Sequence, residues 1–298
     1  MTIDNRFSRD KLLPELLRLA DAFVRKQVSL PGGLRAIGIS MTGHVDPVAG
    51  ISLNSYGVFP PRTQLAAAFE RQFGVPTLVD NNVRSLALAE MAAYKADEMI
   101  SGLFVKQDPG FGCTVLLGGE VYEGSSYSSG EIGHTRVVDN GKPCICGKTG
   151  CLSTIVSTEA LTDSARAAFS PSTTPALWAD CAGDSGRISV PAILRSARAG
   201  DVPVARMLDE AARLLEGVLE TGLLLMDGDV VIAFGPLFED EWFIERLRVC
   251  LNNSFGSFRK IELVHSRLSD KDRWKGAAAI AMHRCLGPIS ADICDNNT

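Results

Sequence analysis

Gly130-Glu131-Ile132-Gly133-His134, followed by Cys144-Ile145-Cys146-Gly147-Lys148-Thr149-Gly150-Cys151, is the stretch on which the reading of this chain turns. Three thiols fall within eight residues, and an imidazole stands ten residues before the first of them. A Cys-x-Cys-x4-Cys run is too cramped for an ordinary disulfide ladder but suits one tetrahedral ion. Zinc takes four nitrogen or sulfur ligands, with thiolates at roughly 2.3 Å and imidazole at roughly 2.0 Å. His134, Cys144, Cys146 and Cys151 are therefore the candidate metal ligands, with Gly147 and Gly150 letting the loop wrap the ion. The plainer reading is a cluster of reduced, buried cysteines. A site with four protein ligands has no open position, so a zinc ion here is structural and its binding energy is folding energy. It would fix the loop from Gly130 to Ser157. Glu131, three residues before His134, would then be presented rigidly beside it and could hold a polar ligand; alternatively it is a solvated loop charge.

Outward from this loop, apolar runs and helical periodicities alternate. Toward the N-terminus, Lys11 to Lys26 repeats leucines at helical spacing, and Pro14, tolerated in a first helical turn, places the helix start near itself. Ser29 to Gly33 reads as a loop, Leu34 to Ser40 as a buried strand, and Thr42-Gly43-His44-Val45-Asp46 as a turn. Arg62 to Phe73 is amphipathic, and Pro76 to Val79 is a short strand. Val83 to Ala93 is a helix that follows Asp80-Asn81-Asn82, good capping residues. Ile100 to Val105 and Cys113 to Leu117 read as strands, with Gly118-Gly119 as a hairpin turn. Beyond the loop, Thr158 to Phe169, Val190 to Ala199 and Val202 to Met226 are helical, and Ser170 to Arg187 reads as an exposed excursion. Val230 to Ala233 and Ile261 to Val264 are short strands. Asp270 to Cys285 is a closing helix whose Gly276-Ala277-Ala278-Ala279 suits close packing, and Ile289 to Thr298 reads as frayed. Strands alternating with helices define an α/β chain with a largely parallel sheet.

The 298 residues are 46% hydrophobic and 22% charged, with a net charge of −5. That is a soluble globular composition, long enough for two domains. The acidic balance opposes direct nucleic-acid binding. No apolar run reaches about 18 residues, so no membrane span is expected. With eight cysteines, three of them in a metal-like cluster, a reducing cytoplasm is the expected compartment. Cys113, Cys181, Cys250 and Cys285 read as buried small hydrophobes, and Cys294 as exposed. His44 lines a site or lies exposed in its loop; His265 and His283 read as structural, and Trp178, Trp242 and Trp274 as packing residues.

The chain resembles the ROK family of repressors, open reading frames and sugar kinases. The resemblance runs from about Leu34 to Leu286. It rests on Gly130-Glu-Ile-Gly-His134, on Cys144-x-Cys146-Gly-x-x-Gly-Cys151-Leu152, and on Val79-Asp-Asn-Asn-Val-Arg-Ser-Leu-Ala-Leu-Ala-Glu90. It implies an actin-like, hexokinase-like (ribonuclease H-like) fold of two α/β lobes with a sugar in the inter-lobe cleft. The expected small lobe is residues 1–103 plus 275–298, and the expected larger lobe is residues 104–274. The resemblance places Gly43, Asn81, Asn82, Glu131 and His134 on the sugar side.

Four departures from the kinases of that family shape the functional expectation. The family's Asn-Asp pair, whose aspartate is the general base, is matched by Asn81-Asn82. An amide takes no proton at neutral pH, and loss of a general base costs on the order of 10²–10⁴ in rate. The family's N-terminal Asp-x-Gly-x-Thr phosphate turn has no match before Leu34, so the first lobe is expected to be truncated at its N-terminus. The Gly-Thr-Gly phosphate turn is matched by Asp108-Pro109-Gly110, where proline removes an N–H donor and Asp108 adds negative charge. The Gly-Gly pair near the adenosine site is matched by Phe234-Gly235. A further family carboxylate, directly after Cys-Leu, is Ser153.

Phosphoryl transfer depends on positioning and electrostatics, and both are altered here. The expectation is a catalytically silent, sugar-sensing effector module of a ROK-type transcriptional regulator, with no catalytic residue, a structural zinc ion and no ATP–Mg²⁺. The alternative is an ATP-dependent sugar kinase with an atypical site. The resemblance also implies a homodimer or homotetramer. Residues 1–33 supply one helix and a loop, too little for a DNA-reading helix-turn-helix, so DNA would be reached only through a segment not visible in this chain.

Overall fold

In chain order the elements are α1 (Arg9–Lys26), β1 (Ile37–Met41), β2 (His44–Asp46), β3 (Ile51–Asn54), β4 (Thr63–Gln64), α2 (Leu65–Phe73), β5 (Thr77–Asn81), α3 (Asn82–Met91), β6 (Gly102–Gln107), β7 (Phe111–Leu117) and β8 (Glu120–Tyr122). They continue with α4 (Ser153–Val156), α5 (Thr158–Ala167), α6 (Pro175–Asp180), α7 (Val190–Arg198), α8 (Val202–Met226), β9 (Val230–Phe234), α9 (Glu241–Phe255), β10 (Glu262–His265) and α10 (Arg273–Leu286). The computed structural model describes residues 9–26, 33–94 and 99–286. The expected loop at 29–32, the expected frayed end Ile289 to Thr298, and Cys294 lie outside the described residues.

The chain forms two compact units. The first holds residues 1–99, 119–129 and 270–298; the second holds 100–118 and 130–269.

In the first unit β1 and β5 pair in parallel, Ile37 opposite Thr77 through Met41 opposite Asn81. Beside them β2, β3 and β4 form an antiparallel sheet. The closing helix α10 lies against β1, where a Cβ on Gly38 would fall 1.8 Å from the Ala277 carbonyl oxygen. A Cβ on Gly276 would stand 2.9 Å from Ser85 Oγ in α3. The small-residue run of α10 therefore brings its backbone close to both strand and helix. A cluster of Leu12, Met41, Val45, Phe59, Leu65 and Val79 joins α1 and α2 to the strands.

Two sequence expectations are corrected in this unit. α1 begins at Arg9, with Pro14 inside it rather than at its start. Pro14 is exposed, whereas Leu12 is buried and Leu13 and Leu16 pack on the core. Apolar contact on the inner face thus holds the helix across a missing N–H on the outer one. β1 is also shorter than expected and only half-buried, with Leu34 exposed before it.

In the second unit β10, β9, β6 and β7 are successive neighbours in one sheet. β6 pairs in parallel with β9 and antiparallel with β7, and β9 pairs in parallel with β10. Every residue of β6 is buried, as a central strand covered on both faces requires. Gly118 and Gly119, at φ 59° and 84°, make the turn expected after β7.

α8 buries Leu208, Ala211, Ala212, Leu215, Leu219 and Leu223 along one stripe at helical spacing. Each fully buried leucine there contributes roughly 1.5–3 kcal/mol.

Ser170 to Arg187 is not the exposed excursion expected from its small and polar residues. It contains α6, whose Leu177 is fully buried, and Cys181 is buried with it in the main core. The Asp201 carboxylate accepts from the backbone N–H groups of Ala176 and Leu177 at 3.2 and 2.8 Å and from Ser196 Oγ at 2.7 Å. A buried acid thus supplies the cap that lets this short helix dock. Cys113 and Cys181 are buried as expected, but Cys250 is half-buried and Cys285 exposed. Trp274 is also exposed. Among the described residues no helix is long and apolar enough to cross a membrane.

Candidate functional site

In the second unit, Glu131–His134 forms a single tight helical turn, entered through Gly130 at φ 81°. A Cβ on Gly130 would lie 2.4 Å from the Cys113 carbonyl oxygen, so the turn sits directly on β7. The thiol loop is folded on itself by Cys144 N–H to Lys148 O at 2.8 Å and Gly147 N–H to Cys144 O at 2.9 Å. Gly147 and Gly150 take positive φ, 88° and 70°, and a Cβ on Gly150 would fall 1.8 Å from Val138 O.

This folding brings His134, Cys144, Cys146 and Cys151 together, their ligating atoms all within 4.8 Å of one another. Cys146 Sγ and Cys151 Sγ are 3.7 Å apart, and Cys144 Sγ is 3.4 Å from His134 Nδ1. A tetrahedral ion with sulfur bonds of roughly 2.3 Å has sulfur–sulfur edges of about 3.8 Å. The residues therefore fit a single ion, and the cluster could hold a metal.

The surroundings favour thiolate at one end of the cluster. Burial raises the Cys144 thiol, but hydrogen bonds from the Cys146 backbone and from Ser153, Cys146 and His134 outweigh it and bring the group from 9.0 down to about 6. Ser153 Oγ lies 3.5 Å from that sulfur. Burial and the neighbouring thiols of Cys146 and Cys144 push Cys151 up to about 12. A bound cation reverses that penalty, because a coordinating thiol is deprotonated outright. His134 Nε2, turned away from the sulfurs, lies 3.5 Å from a Glu131 carboxylate oxygen. Lys148 Nζ donates to the His134 carbonyl at 2.5 Å.

The turn after β6 lies in the same unit. Asp108 Oδ1 accepts from Thr158 Oγ1 at 2.9 Å, and Thr158 Oγ1 accepts from Gln107 Nε2 at 3.0 Å. Thr158 N–H donates to Pro109 O at 3.0 Å, and the buried Lys106 donates to the Asp108 carbonyl. The carboxylate thus stands at the first residue of α5, where the helix dipole favours negative charge.

In the first unit, Asn81 caps α3 and does more. Its Oδ1 accepts from Val83 and Arg84 N–H at 2.7 and 3.3 Å, and its Nδ2 donates to Gly43 O at 2.8 Å. Gly43 is at φ 94°, and a Cβ there would lie 2.1 Å from Asn54 O. Asn82 is the first residue of α3, and its carbonyl accepts from Ser85 Oγ at 3.1 Å. His44 meets the ring of Tyr56 edge-on. Beneath this turn Asp80 and Arg84 form a buried ion pair, 2.7 Å from Nε and 2.5 Å from Nη2 to Asp80 Oδ1.

The sequence profile of the ROK family matches residues 4–284. The chain belongs to the ROK family. It is 25% identical to the xylose repressor of Caldicellulosiruptor bescii, over 93% of this chain and 70% of that one. It is 34% identical to YphH of Escherichia coli over 44% of this chain, and that alignment spans only 33% of YphH. The structure superimposes on a ROK family glucokinase from Streptomyces griseus, solved with glucose and AMPPNP, with a TM-score of 0.77. Identity there is 24%, over 91% of this chain and 88% of the other. The fold is the actin-like fold of the ROK hexokinases, and the family's relatives include both repressors and glucokinases.

Of the residues that the ROK resemblance puts on the sugar side, Gly43, Asn81 and Asn82 belong to the first unit and Glu131 and His134 to the second. Gly43 and Asn81 are in direct contact, as are Glu131 and His134. Ser153, which the resemblance matches to a family carboxylate, lies against the thiol cluster, 3.5 Å from Cys144 Sγ. Sequence reasoning passed over Arg84 and Thr158. The i,i+4 spacing of Asp80 and Arg84 at a helix start was the available signal for the first. Nothing local pointed to the second, whose partners are 50 and 51 residues away.

Proposed function

We propose that this ROK chain is a sugar-sensing effector module of a transcriptional regulator and does not transfer phosphate. The observation that carries the reading is Asn82 at the start of α3, an amide at the position where the ROK kinases have their general base. The turn after β6 supports it. Pro109 stands where the resemblance puts the threonine of the phosphate turn, Asp108 beside it adds a carboxylate, and Thr158 is already bonded to that carboxylate. Both changes oppose the positioning and charge compensation that phosphoryl transfer requires.

In this reading the ligand is a sugar or sugar derivative, met in the first unit by the amide of Asn82. Hydroxyls need matched donors and acceptors, because each buried polar group left unpaired costs about 1–3 kcal/mol. The four-ligand cluster holds zinc in a closed, structural site, and Glu131 orients His134 from behind. The module works as a homodimer or homotetramer in the cytoplasm. Signalling follows from ligand binding one conformation better than another.

The second reading, an ATP-dependent sugar kinase with an atypical site, draws on the likeness to the glucokinase structure over most of both chains. Calorimetric titration separates the two. Hexoses, N-acetylhexosamines and pentoses are titrated in one series and ATP–Mg²⁺ in another. A sugar signal without ATP binding is the expected result; clear ATP binding makes the kinase reading the better one.

A further inference from the structure

Resting on the reading of Asn81 and Asn82 as the sugar-facing turn, we propose that Arg84 is a positioning residue for that turn. It locks three segments of the first unit into one geometry. Arg84 is 3% exposed and Asp80 1% exposed, so both are shielded from bulk water. The guanidinium puts Nε and Nη2 on Asp80 Oδ1, donates from Nη1 to the Tyr127 carbonyl at 2.6 Å, and donates from Nη2 to the Val45 carbonyl at 3.2 Å. Those carbonyls come from β2 and from the segment after β8, 39 and 43 residues away in sequence.

Two of the three ties lead to residues of the turn, and the third holds a neighbouring segment of the same unit. Asp80 directly precedes Asn81 and accepts from its backbone N–H at 2.6 Å. Val45 lies two residues after Gly43, whose carbonyl accepts from the Asn81 amide. Tyr127 holds a left-handed backbone, φ 57°, which a non-glycine residue keeps only when its surroundings compel it. Its segment is held a second time by Arg284, which bonds Glu123 at 2.7 Å and Pro47 O at 2.9 Å.

A buried ion pair is poor value for stability alone, since an apolar pair of the same volume often serves as well. What arginine supplies is a planar fork with fixed donor directions, which lysine lacks. The arrangement fits a device that holds direction, not one that adds binding energy to the fold.

The test compares wild type with Arg84→Lys and with the double variant Asp80→Asn/Arg84→Met, which leaves no unpaired buried charge. Two readouts are taken on full-length protein: amide hydrogen exchange across residues 43–46 and 119–129, and calorimetric titration with hexoses, N-acetylhexosamines and pentoses. Both variants are expected to fold, to exchange at least tenfold faster in those two segments while the second unit is unchanged, and to lose at least tenfold in affinity for the sugar that wild type binds. Wild-type exchange and affinity in either folded variant would overturn the proposal and leave Arg84 an ordinary core ion pair. If wild type binds no sugar, the functional reading fails, and the exchange data alone decide whether Arg84 positions the turn.

Discussion

His134 faces two ways: its Nε2 lies 3.5 Å from the Glu131 carboxylate while its Nδ1 lies 3.4 Å from Cys144 Sγ. A carboxylate behind a ligating imidazole fixes the ring's tautomer and raises its basicity, and loss of such a partner typically costs about 10–100-fold in metal affinity. Glu131→Gln is therefore expected to bind zinc about tenfold or more weakly than wild type, measured by competition with a chromogenic chelator. Unchanged affinity would show that Glu131 does not serve the metal.

Removing a ligand has a larger effect than removing its support. Cys144→Ser is expected to purify with well under one equivalent of zinc by elemental analysis and to melt at a lower temperature. Metal binding to such clusters is folding energy, and a chelator should reproduce the shift in wild type. A wild-type protein without metal, melting identically with and without chelator, would refute the metal site.

On the proposed reading, a single carboxylate at residue 82 is not enough for phosphoryl transfer. Asn82→Asp puts a carboxylate at the start of α3 but leaves Asp108 and Thr158 bonded to each other. No ATP-dependent phosphorylation of any sugar that binds is expected in a coupled ADP-release assay. Turnover in this variant above that of wild type would count against the proposed role of the turn after β6.

Gly43 is required by backbone geometry. An alanine there would combine φ 94° with a Cβ 2.1 Å from Asn54 O, so β2 would have to shift. A loss of about 2–4 kcal/mol is expected for Gly43→Ala, at the upper end of single-substitution effects, measured by urea unfolding. A loss below about 0.5 kcal/mol would mean that the turn relaxes freely.

Glu216 contributes a pH dependence. Burial in α8 raises its carboxyl above the usual 4.5, against a hydrogen bond from Ser254 that lowers it. The folded state thus holds this proton more tightly than the unfolded chain. The sign is that stability declines as pH rises from 4.5 through the raised value. Glu216→Gln, still able to accept from Ser254, should melt higher than wild type at pH 7 and lose that advantage near pH 4. An advantage equal at both values would assign the effect to packing.

The candidate metal cluster was legible in the sequence because its members are local: three thiols and an imidazole within 18 residues can scarcely meet anything but one another. α8 was legible end to end because its apolar residues recur at a single period, and Asn81 as a cap because a capping amide needs only the next two or three N–H groups. The hairpin turn at Gly118-Gly119 followed from the backbone freedom of glycine.

What tertiary structure alone decided rests on partners far away in the chain. Leu177 and Cys181 sit in a stretch of small and polar residues that reads as exposed, and they are buried because Asp201 arrives from the start of α8 to cap α6. Pro14 lies within a helix because Leu12 and Leu16 find an apolar surface built from β1, β5 and α2. Arg84 showed one partner in the sequence, Asp80 at the i,i+4 spacing, while the carbonyls of Val45 and Tyr127 exist as acceptors only once the first unit has closed. Local spacing determined the candidate metal cluster and the long helix α8; the burial of a charge or a polar segment was set by what the fold brought to it, since burial is a property of the assembled core.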